Sequence, residues 1–485
     1  MVNKEIKKNR RTYGEHLTPI QIFENYILPE IKERLFDFKW IDLFAGQGNL
    51  ILPILKEVPE DERNEFFKKR IFLFDIQDKQ VKIAIENAVS YGIKKDIAIK
   101  NIKKRDTLKN YPMSIFKPNL PVFHITNPPY LYLGYIMKHE ETKRYLELFQ
   151  GENDGYQDLY QIALINDLRN GLENMIYIIP SNFLFSFSAA NKIRRDFLEF
   201  YNIKKTYIFE EDIFEYTGQN VIITFFKRKK KQKKENISFK GIRVGFDSEK
   251  KIRRYDLDPK THYRAGNEFE EFLKDNKCPN HLRVKYYLTA EEIEKNKGEK
   301  SIQVIDANNY KGNKYEKKII NVNRELYDKI RSNFLFIRTV DTGSIKGRAG
   351  LYSIHKIFGV DGILVSKAKY RTHPIQVFIK PDLNENQMNL LKKYFNLVLE
   401  YFRDKYDSDF LTTYKYSNAS YVRKYLGLSQ TRKLIQTFPI HPKDRSRPKF
   451  DRKYELIELI KNKKGIKIVE YIKKLNQKAK IAFYL

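Results

Sequence analysis

Pro121-Val122-Phe123-His124-Ile125-Thr126-Asn127-Pro128-Pro129-Tyr130 is an apolar run that stops at an amide, two prolines and a phenol. The run has the length and the β-branched, aromatic content of a buried strand. Its last four residues then fall at the strand's carboxyl end. In an open parallel sheet, ligands bind outside those ends. Two prolines fix the backbone there and remove two N–H donors. What is left is an outward-facing Asn amide, rigid carbonyls and one aromatic ring. That set offers two acceptors for the hydrogens of a planar amino group and a face for it to stack on. Asn-Pro also starts ordinary turns, so the surrounding segments decide between the two readings.

Toward the amino terminus, Phe38 to Phe44 reads as a first strand. It runs into Asp42-Leu43-Phe44-Ala45-Gly46-Gln47-Gly48-Asn49, with Leu50, Ile51, Ile54 and Leu55 at helical spacing beyond. Gly46 and Gly48 let the backbone turn tightly and approach a ligand closely. No Gly-Lys-Ser/Thr follows, which excludes the phosphate loop of ATPases. Two glycines also depart from the dinucleotide fingerprint. Arg70 to Asp75 reads as a second strand ending in a carboxylate, a residue type that can bind both hydroxyls of a ribose. It lies farther past the Gly loop than the ~20 residues of a dinucleotide fold; the acid-rich stretch Pro59 to Glu65 accounts for the extra length. Asp78 to Tyr91 predicts a helix closed by Gly92. Asp96 to Asn101 predicts a third strand, with Asp106 just beyond. Upstream, Thr18 is expected to cap a helix with Pro19 at its first position and Gln21 completing a capping box.

Toward the carboxyl terminus, Leu131 to Gly155 reads as a loop or lid. Asp158 to Asn170 and Ala189 to Tyr201 are predicted helices around a fifth strand, Met175 to Ile179. Ile203 to Phe209 and Val221 to Phe226 are close enough to form an antiparallel hairpin. Seven strands with intervening helices predict a doubly wound α/β domain. The charge run Lys227 to Lys234 sets the expected boundary, giving domains 1–235 and 236–485. The second, expected to be α+β, carries strand-like Ile237 to Phe246 and Val377 to Ile379. It also carries an amphipathic helix with Met388, Leu391, Phe395, Val398 and Phe402 on one face. Arg338 to Arg348 is basic and Gly-punctuated, and Tyr414 to Lys433 interleaves Tyr with Lys and Arg. Such interleaving suits nucleic acid and equally a solvated surface.

The formal net charge of +31 over 485 residues points to a polyanionic partner, nucleic acid ahead of a membrane surface. No stretch is apolar enough to span a bilayer and Met1 to Arg11 is polar and basic, so a cytoplasmic protein is expected. The single Cys278 excludes a disulfide framework or a multi-cysteine zinc site within one chain, and the eight histidines show no metal spacing. No metal is expected.

Taken in order, Thr-Pro, Asp-x-Phe-x-Gly-x-Gly, Asn-Pro-Pro-Tyr and a long carboxyl-terminal extension resemble the S-adenosylmethionine-dependent amino-methyltransferases. The order is that of the γ group of adenine-N6 DNA methyltransferases of restriction–modification systems, and the resemblance covers Tyr13 to Phe226. It implies a seven-stranded, Rossmann-like methyltransferase sheet that transfers methyl from S-adenosylmethionine to adenine N6 in duplex DNA, after base flipping. Thr18 and Pro19 then meet the methionine end of the cofactor. Asp42, Phe44, Ala45, Gly46 and Gly48 form its loop, and Asp75 holds its ribose. Asp106 accepts its adenine amino hydrogens, or is a solvated loop acid. Asn127, Pro128, Pro129 and Tyr130 are the catalytic motif. Tyr130 stacks on the flipped base, and Phe214 either joins it or is a core aromatic of the hairpin. The extension 236–485 becomes the target-recognition domain, with Arg338, Lys346, Arg348, Arg423 and Arg432 as DNA-contact candidates. Double-stranded DNA is the expected partner, beside a cognate restriction endonuclease that forms no stable complex. Asn-Pro-Pro-Tyr also serves enzymes that methylate a release-factor glutamine, but those lack a long basic extension. An RNA adenine-N6 methyltransferase and an inactive nucleic-acid-binding protein stand as alternatives. Intact Gly46, Gly48, Asp75 and Asn127 weigh against the last.

Overall fold

The structure is a computed structural model that describes residues 9, 11–116, 120–186, 189–210, 213–214, 220–245, 249–312, 314–340, 347–367, 374–406, 426–439 and 451–484. They divide into two compact units, the first running to Ala265 and the second starting at Gly266.

In the first unit β1 (Lys39–Asp42), β2 (Ile71–Asp75), β3 (Ile102–Lys104), β4 (Val122–Thr126), β5 (Asn174–Pro180), β6 (Tyr201–Phe209), β7 (Val221–Arg228), β8 (Ile237–Val244) and β9 (Lys250–Leu257) make one sheet, in the order β3-β2-β1-β4-β5-β7-β6-β8-β9. β3, β2, β1, β4 and β5 pair in parallel. The chain leaves β1 toward β3 and returns to place β4 on the other side of β1. That reversal is a topological switch point, where an open sheet forms a crevice. β5 lies at the centre and is buried along its whole length. β6 and β7 form the expected antiparallel hairpin. The α/β reading therefore holds, with two strands more than expected.

Three local expectations fail for physical reasons. The predicted third strand at 96–101 is a helix, Lys95–Asn101, and β3 follows it. The alternation of Ile97 and Ile99 looks strand-like, but burial falls on Ala98 and Asn101, three apart on one helical face. Asn101 is buried because its amide donates to the Phe67, Lys68 and Ile71 carbonyls at 3.0, 3.0 and 2.8 Å. The helix at Ile20–Ile22 has no side-chain cap, so Thr18 does not cap it. The stretch 131–155 is largely helical, at Leu133–Ile136 and Glu140–Phe149, and buries Tyr145, Leu148 and Phe149.

The domain boundary also moves. The Lys-rich run does not end the sheet, because β8 pairs with β6 and β9 with β8. Beyond β9 the chain is stapled back onto the first unit. The buried Arg194 guanidinium donates to the His262 and Phe183 carbonyls, each at 2.8 Å. Arg264 Nε donates to the Phe185 carbonyl at 3.1 Å, and the Ala265 N–H to the Leu184 carbonyl at 2.9 Å. A charge run reads as a linker, but here Lys227 and Arg228 complete β7. The division falls at 265/266 rather than 235/236.

The second unit has two four-stranded sheets. β10 (Arg283–Tyr286), β14 (Leu335–Arg338), β15 (Gly350–Ser353) and β17 (Ile375–Lys380) form one. β11 (Leu288–Thr289), β12 (Lys300–Lys311), β13 (Lys314–Val322) and β16 (Gly362–Val365) form the other. The expected amphipathic helix, Glu385–Tyr406, buries Met388, Leu391, Phe395, Val398 and Phe402 in the unit's core. The unit is α+β.

A chain cut after Lys234 loses β8, β9 and the Arg194 staple, and leaves β6 with an unpaired edge. A chain cut after Ala265 keeps all three. The shorter fragment should melt at least about 5 °C below the longer, at ~2–4 °C per kcal/mol for a domain of this size. Equal midpoints by circular dichroism would return the boundary to the Lys-rich run.

Candidate active site

At the carboxyl ends of β1, β2 and β4 lies a cleft of about 790 Å³, measured out to its mouth. It is lined by residues 13–18, by the loop after β1, by Asp75 to Gln77, by Arg105 to Leu108, and by Asn127, Pro129 and Tyr145.

Asp42 ends β1 and is buried. Its Oδ1 accepts from the Phe44 N–H at 2.9 Å and the Thr126 hydroxyl at 2.5 Å. Burial pushes its carboxyl up to about 6, against the pull of His124 and the Thr126 hydrogen bond. Gly46 has φ 50°, and its N–H donates to Asp75 Oδ2 at 2.9 Å, while the Gln77 N–H donates to Oδ1 at 2.8 Å. Burial likewise pushes Asp75 up to about 6, against these N–H donors, and the nearby Glu15 adds to the rise. Glu15 accepts from Gln77 Nε2 at 2.5 Å and Gln80 Nε2 at 2.8 Å. Phe44, Ala45 and Gly46 line the cleft. Gly48, at φ 82°, sits behind them, where a Cβ would come within 2.5 Å of the Leu52 side chain. Asp106 lies half-buried at the cleft just after β3. Beside it the buried Thr107 donates its hydroxyl to the Leu43 carbonyl at 2.7 Å.

The segment 13–18 crosses the Asn-Pro-Pro-Tyr loop. The Tyr130 N–H donates to the Gly14 carbonyl at 3.0 Å. Gly14 has φ 68°, and a Cβ there would meet Tyr130 backbone atoms at 2.9 Å, so only glycine fits. Asn127 Nδ2 donates to the His16 carbonyl at 2.7 Å and to Thr18 Oγ1 at 3.0 Å. Both amide hydrogens are thereby used, which settles which way the amide faces. Asn127 Oδ1 accepts from the Tyr130 hydroxyl, which also lies 2.7 Å from the Ile178 carbonyl. The amide is 9% exposed and turned into this network, rather than outward as the sequence suggested. Beneath it, His124 Nε2 accepts from the Leu43 N–H at 3.3 Å, and its Nδ1 lies 2.6 Å from Asp167.

Thr18, Asp42, Phe44, Ala45, Gly46, Asp75, Asp106, Asn127 and Pro129 thus share one cleft. Pro19 is exposed and Pro128 buried, and neither lines it. Tyr130 and Phe214 are both buried, and each packs against the ring of His16, at 4.9 and 5.6 Å between centroids. Sequence reasoning held Gly14, Glu15 and His16 within the resemblance but gave them no role, and it missed Thr107 altogether. The signal for the first three was their place directly before Thr-Pro. In the second unit Arg338 lies over the Tyr352 ring, Arg348 pairs with Glu400, and the exposed Arg432 lies over the Tyr286 ring. Lys346 and Arg423 fall outside the described residues. Among the described residues no group of His, Cys, Asp and Glu could hold a metal ion, and no helix is long and apolar enough to cross a membrane.

A family model for N-6 DNA methylases matches residues 1–318. The chain belongs to the N-6 DNA methylase family. No curated protein matches this methylase-family chain. Among solved structures it is similar to the modification subunit of a putative type I restriction enzyme from Vibrio vulnificus YJ016, at 16% identity and a TM-score of 0.35, over 58% of this chain and 57% of that one. It is similar to the M protein of the type I restriction enzyme EcoKI at 14% identity and a TM-score of 0.35, over 50% and 51%. It is also similar to the type IIG restriction endonuclease BpuSI at 12% identity and a TM-score of 0.40, over 96% and 67%. The chain spans about half the length of the first two. Likenesses this distant carry no argument about activity.

Asp75 holds its proton more tightly folded than unfolded, with values of about 6 against an ordinary 3.8. Its contribution to stability therefore falls as pH rises from about 4 to 6. In Asp75→Asn that decline is absent, so the variant's thermal midpoint should gain on the wild type as pH is raised through the window. A constant difference from pH 4 to 7 would mean the carboxyl titrates at its ordinary value.

Proposed function

We propose that this chain transfers a methyl group from S-adenosylmethionine to N6 of a flipped adenine in duplex DNA, as the modification enzyme of a restriction–modification system. One observation carries the reading. The Asn127 amide, set by the His16 carbonyl and Thr18, stands in the same cleft as the Gly46 turn and the Asp75 carboxylate.

The cleft's chemistry fits the cofactor. Among the described residues Glu15, Asp42, Asp75 and Asp106 line it beside Arg105, in a chain of net charge +31. An acidic cleft in a basic protein suits a ligand with a sulfonium and an ammonium group. The Asp75 oxygens accept from the Gly46 and Gln77 N–H groups, and the carboxylate keeps lone-pair capacity for ribose hydroxyls. Asp106 would accept from the cofactor's adenine amino group, and Phe44 and the Gly46 turn would help to hold its adenine end. The bound cofactor supplies an electrophilic methyl group.

The N6 lone pair of adenine is delocalised into its ring and is a poor nucleophile. We assign the acceptors for the two N6 hydrogens to Asn127 Oδ1 and to the carbonyl of Pro128, a buried residue that does not line the cleft in the DNA-free protein; together they favour a pyramidal nitrogen as positive charge develops. That is electrostatic preorganisation, with proximity supplying much of the remainder. The Tyr130 hydroxyl now donates to Oδ1, but the Ile178 carbonyl offers its proton a second acceptor. Turning to that carbonyl hands Oδ1 to the substrate. The methylated ammonium is a strong acid, so no dedicated base is needed. The adenine is unreachable inside a duplex and is flipped out, stacking on Tyr130 and Phe214. We assign the second unit to target recognition, with Arg338, Arg348 and Arg432 reading bases or holding phosphates. A cognate endonuclease of the same system acts on the same sites without a stable complex.

Sequencing DNA from an expressing strain for N6-methyladenine should reveal one modified motif. A duplex carrying that motif, with labelled S-adenosylmethionine, then tests the site. Asn127→Ala should lower turnover by about 10²–10³-fold, as for one lost preorganised contact, with cofactor binding intact. Turnover at the wild-type rate would end the assignment. Asp75→Ala should weaken cofactor binding by ~1.5–3 kcal/mol, the size of a charge-assisted hydrogen bond, and leave DNA affinity unchanged. Equal loss for both ligands would make Asp75 structural.

A further inference from the structure

We infer that the His16 imidazole is a placeholder for the target base: in the DNA-free protein it fills the slot between Tyr130 and Phe214, and the flipped purine displaces it. The inference rests on the proposed base-flipping reaction. Three observations carry it.

The first is position. The His16 ring lies 4.9 Å from the Tyr130 ring at 31° and 5.6 Å from the Phe214 ring at 41°. Both separations are in the range of aromatic contacts, so one planar heteroaromatic ring touches both residues assigned to grip a base. The second is closure. Tyr130 is 6% exposed and Phe214 4% exposed, so a base has no face to stack on until something moves. The third is that the backbone around His16 is held in place while the residue is only partly buried. The backbone around His16 is pinned, by Gly14 to Tyr130, by the His16 carbonyl to Asn127, and by the Thr18 carbonyl to Asn49 Nδ2 at 2.8 Å. His16 itself is only partly buried. A rotamer change would take the ring out while the carbonyl keeps its hold on the Asn127 amide.

The placeholder has a physical use. With the imidazole absent, apolar neighbours would close over the space beside the Tyr130 and Phe214 rings. An imidazole is planar enough to keep that space open and smaller than a purine, so the larger base has the greater stacking surface. Adenine then competes with a ring rather than with a closed core.

The test uses the whole chain and a duplex with 2-aminopurine at the methylated position, whose fluorescence rises when the base leaves the stack. His16→Ala removes the competitor and should raise the flipped fraction and tighten target DNA by about three- to tenfold, the equivalent of one aromatic contact. Affinity for DNA without the motif should not change. His16→Phe keeps a ring in the slot and should lower the flipped fraction. Thermal midpoints and circular dichroism of both variants establish that they are folded. A fall in 2-aminopurine signal for His16→Ala would overturn the inference, because His16 would then be a wall the base stacks on. An unchanged signal in both variants would overturn it as well. Failure of the wild type to methylate adenine would instead remove the reaction on which the inference stands.

Discussion

The Asn127 side-chain amide is where separate parts of the first unit meet. One group of atoms reaches the amino-terminal segment through the His16 carbonyl and the Thr18 hydroxyl, and β5 through the Tyr130 hydroxyl and the Ile178 carbonyl. A buried amide left unpaired would cost about 1–3 kcal/mol per group. Both of its hydrogens are paired, and its oxygen takes the Tyr130 hydroxyl. The same hydrogen bonds that hold the fold also orient the atom proposed to hold the substrate amine. Two prolines beside it prevent the loop from offering its own N–H groups to the amide oxygen.

This arrangement requires the amino-terminal segment to lie almost against the loop backbone. Gly14 makes that approach possible, and any side chain there would collide with Tyr130. The Asn49 amide then ties the segment to the Gly loop. The cofactor cleft and the Asn-Pro-Pro-Tyr loop are thus braced by one strip of chain. A disturbance at Gly14 would reach the amide and the cleft together.

Electrostatics divides the molecule in a second way. The chain is strongly basic as a whole, yet the charged side chains described at its cleft are mostly acids, Glu15, Asp42, Asp75 and Asp106 beside Arg105, and burial holds Asp42 and Asp75 near a pKa of 6. A polyanion is drawn to the general surface while the cleft favours a cation.

The sequence by itself determined the strands that reach the cleft, because each ends in or just before a residue that is costly to bury without purpose: Asp42, Asp75 and Asn127. It also determined the Gly turn, the β6–β7 hairpin and the amphipathic helix 385–406, whose signals are local in the chain. The tertiary structure alone decided what depends on distant partners. Lys95–Asn101 is a helix because Asn101 finds three carbonyls near β2, which no local pattern records. The first unit runs to Ala265 because β8 pairs with β6 and Arg194 captures the chain beyond β9. Thr18 turned from a helix cap to a partner of Asn127, an amide 109 positions away. His16 had no legible role, because its neighbours Tyr130 and Phe214 are adjacent to it only in the folded chain. Periodicity and turn chemistry act over a few residues, whereas a hydrogen bond between remote segments exists only once the sheet has brought them together.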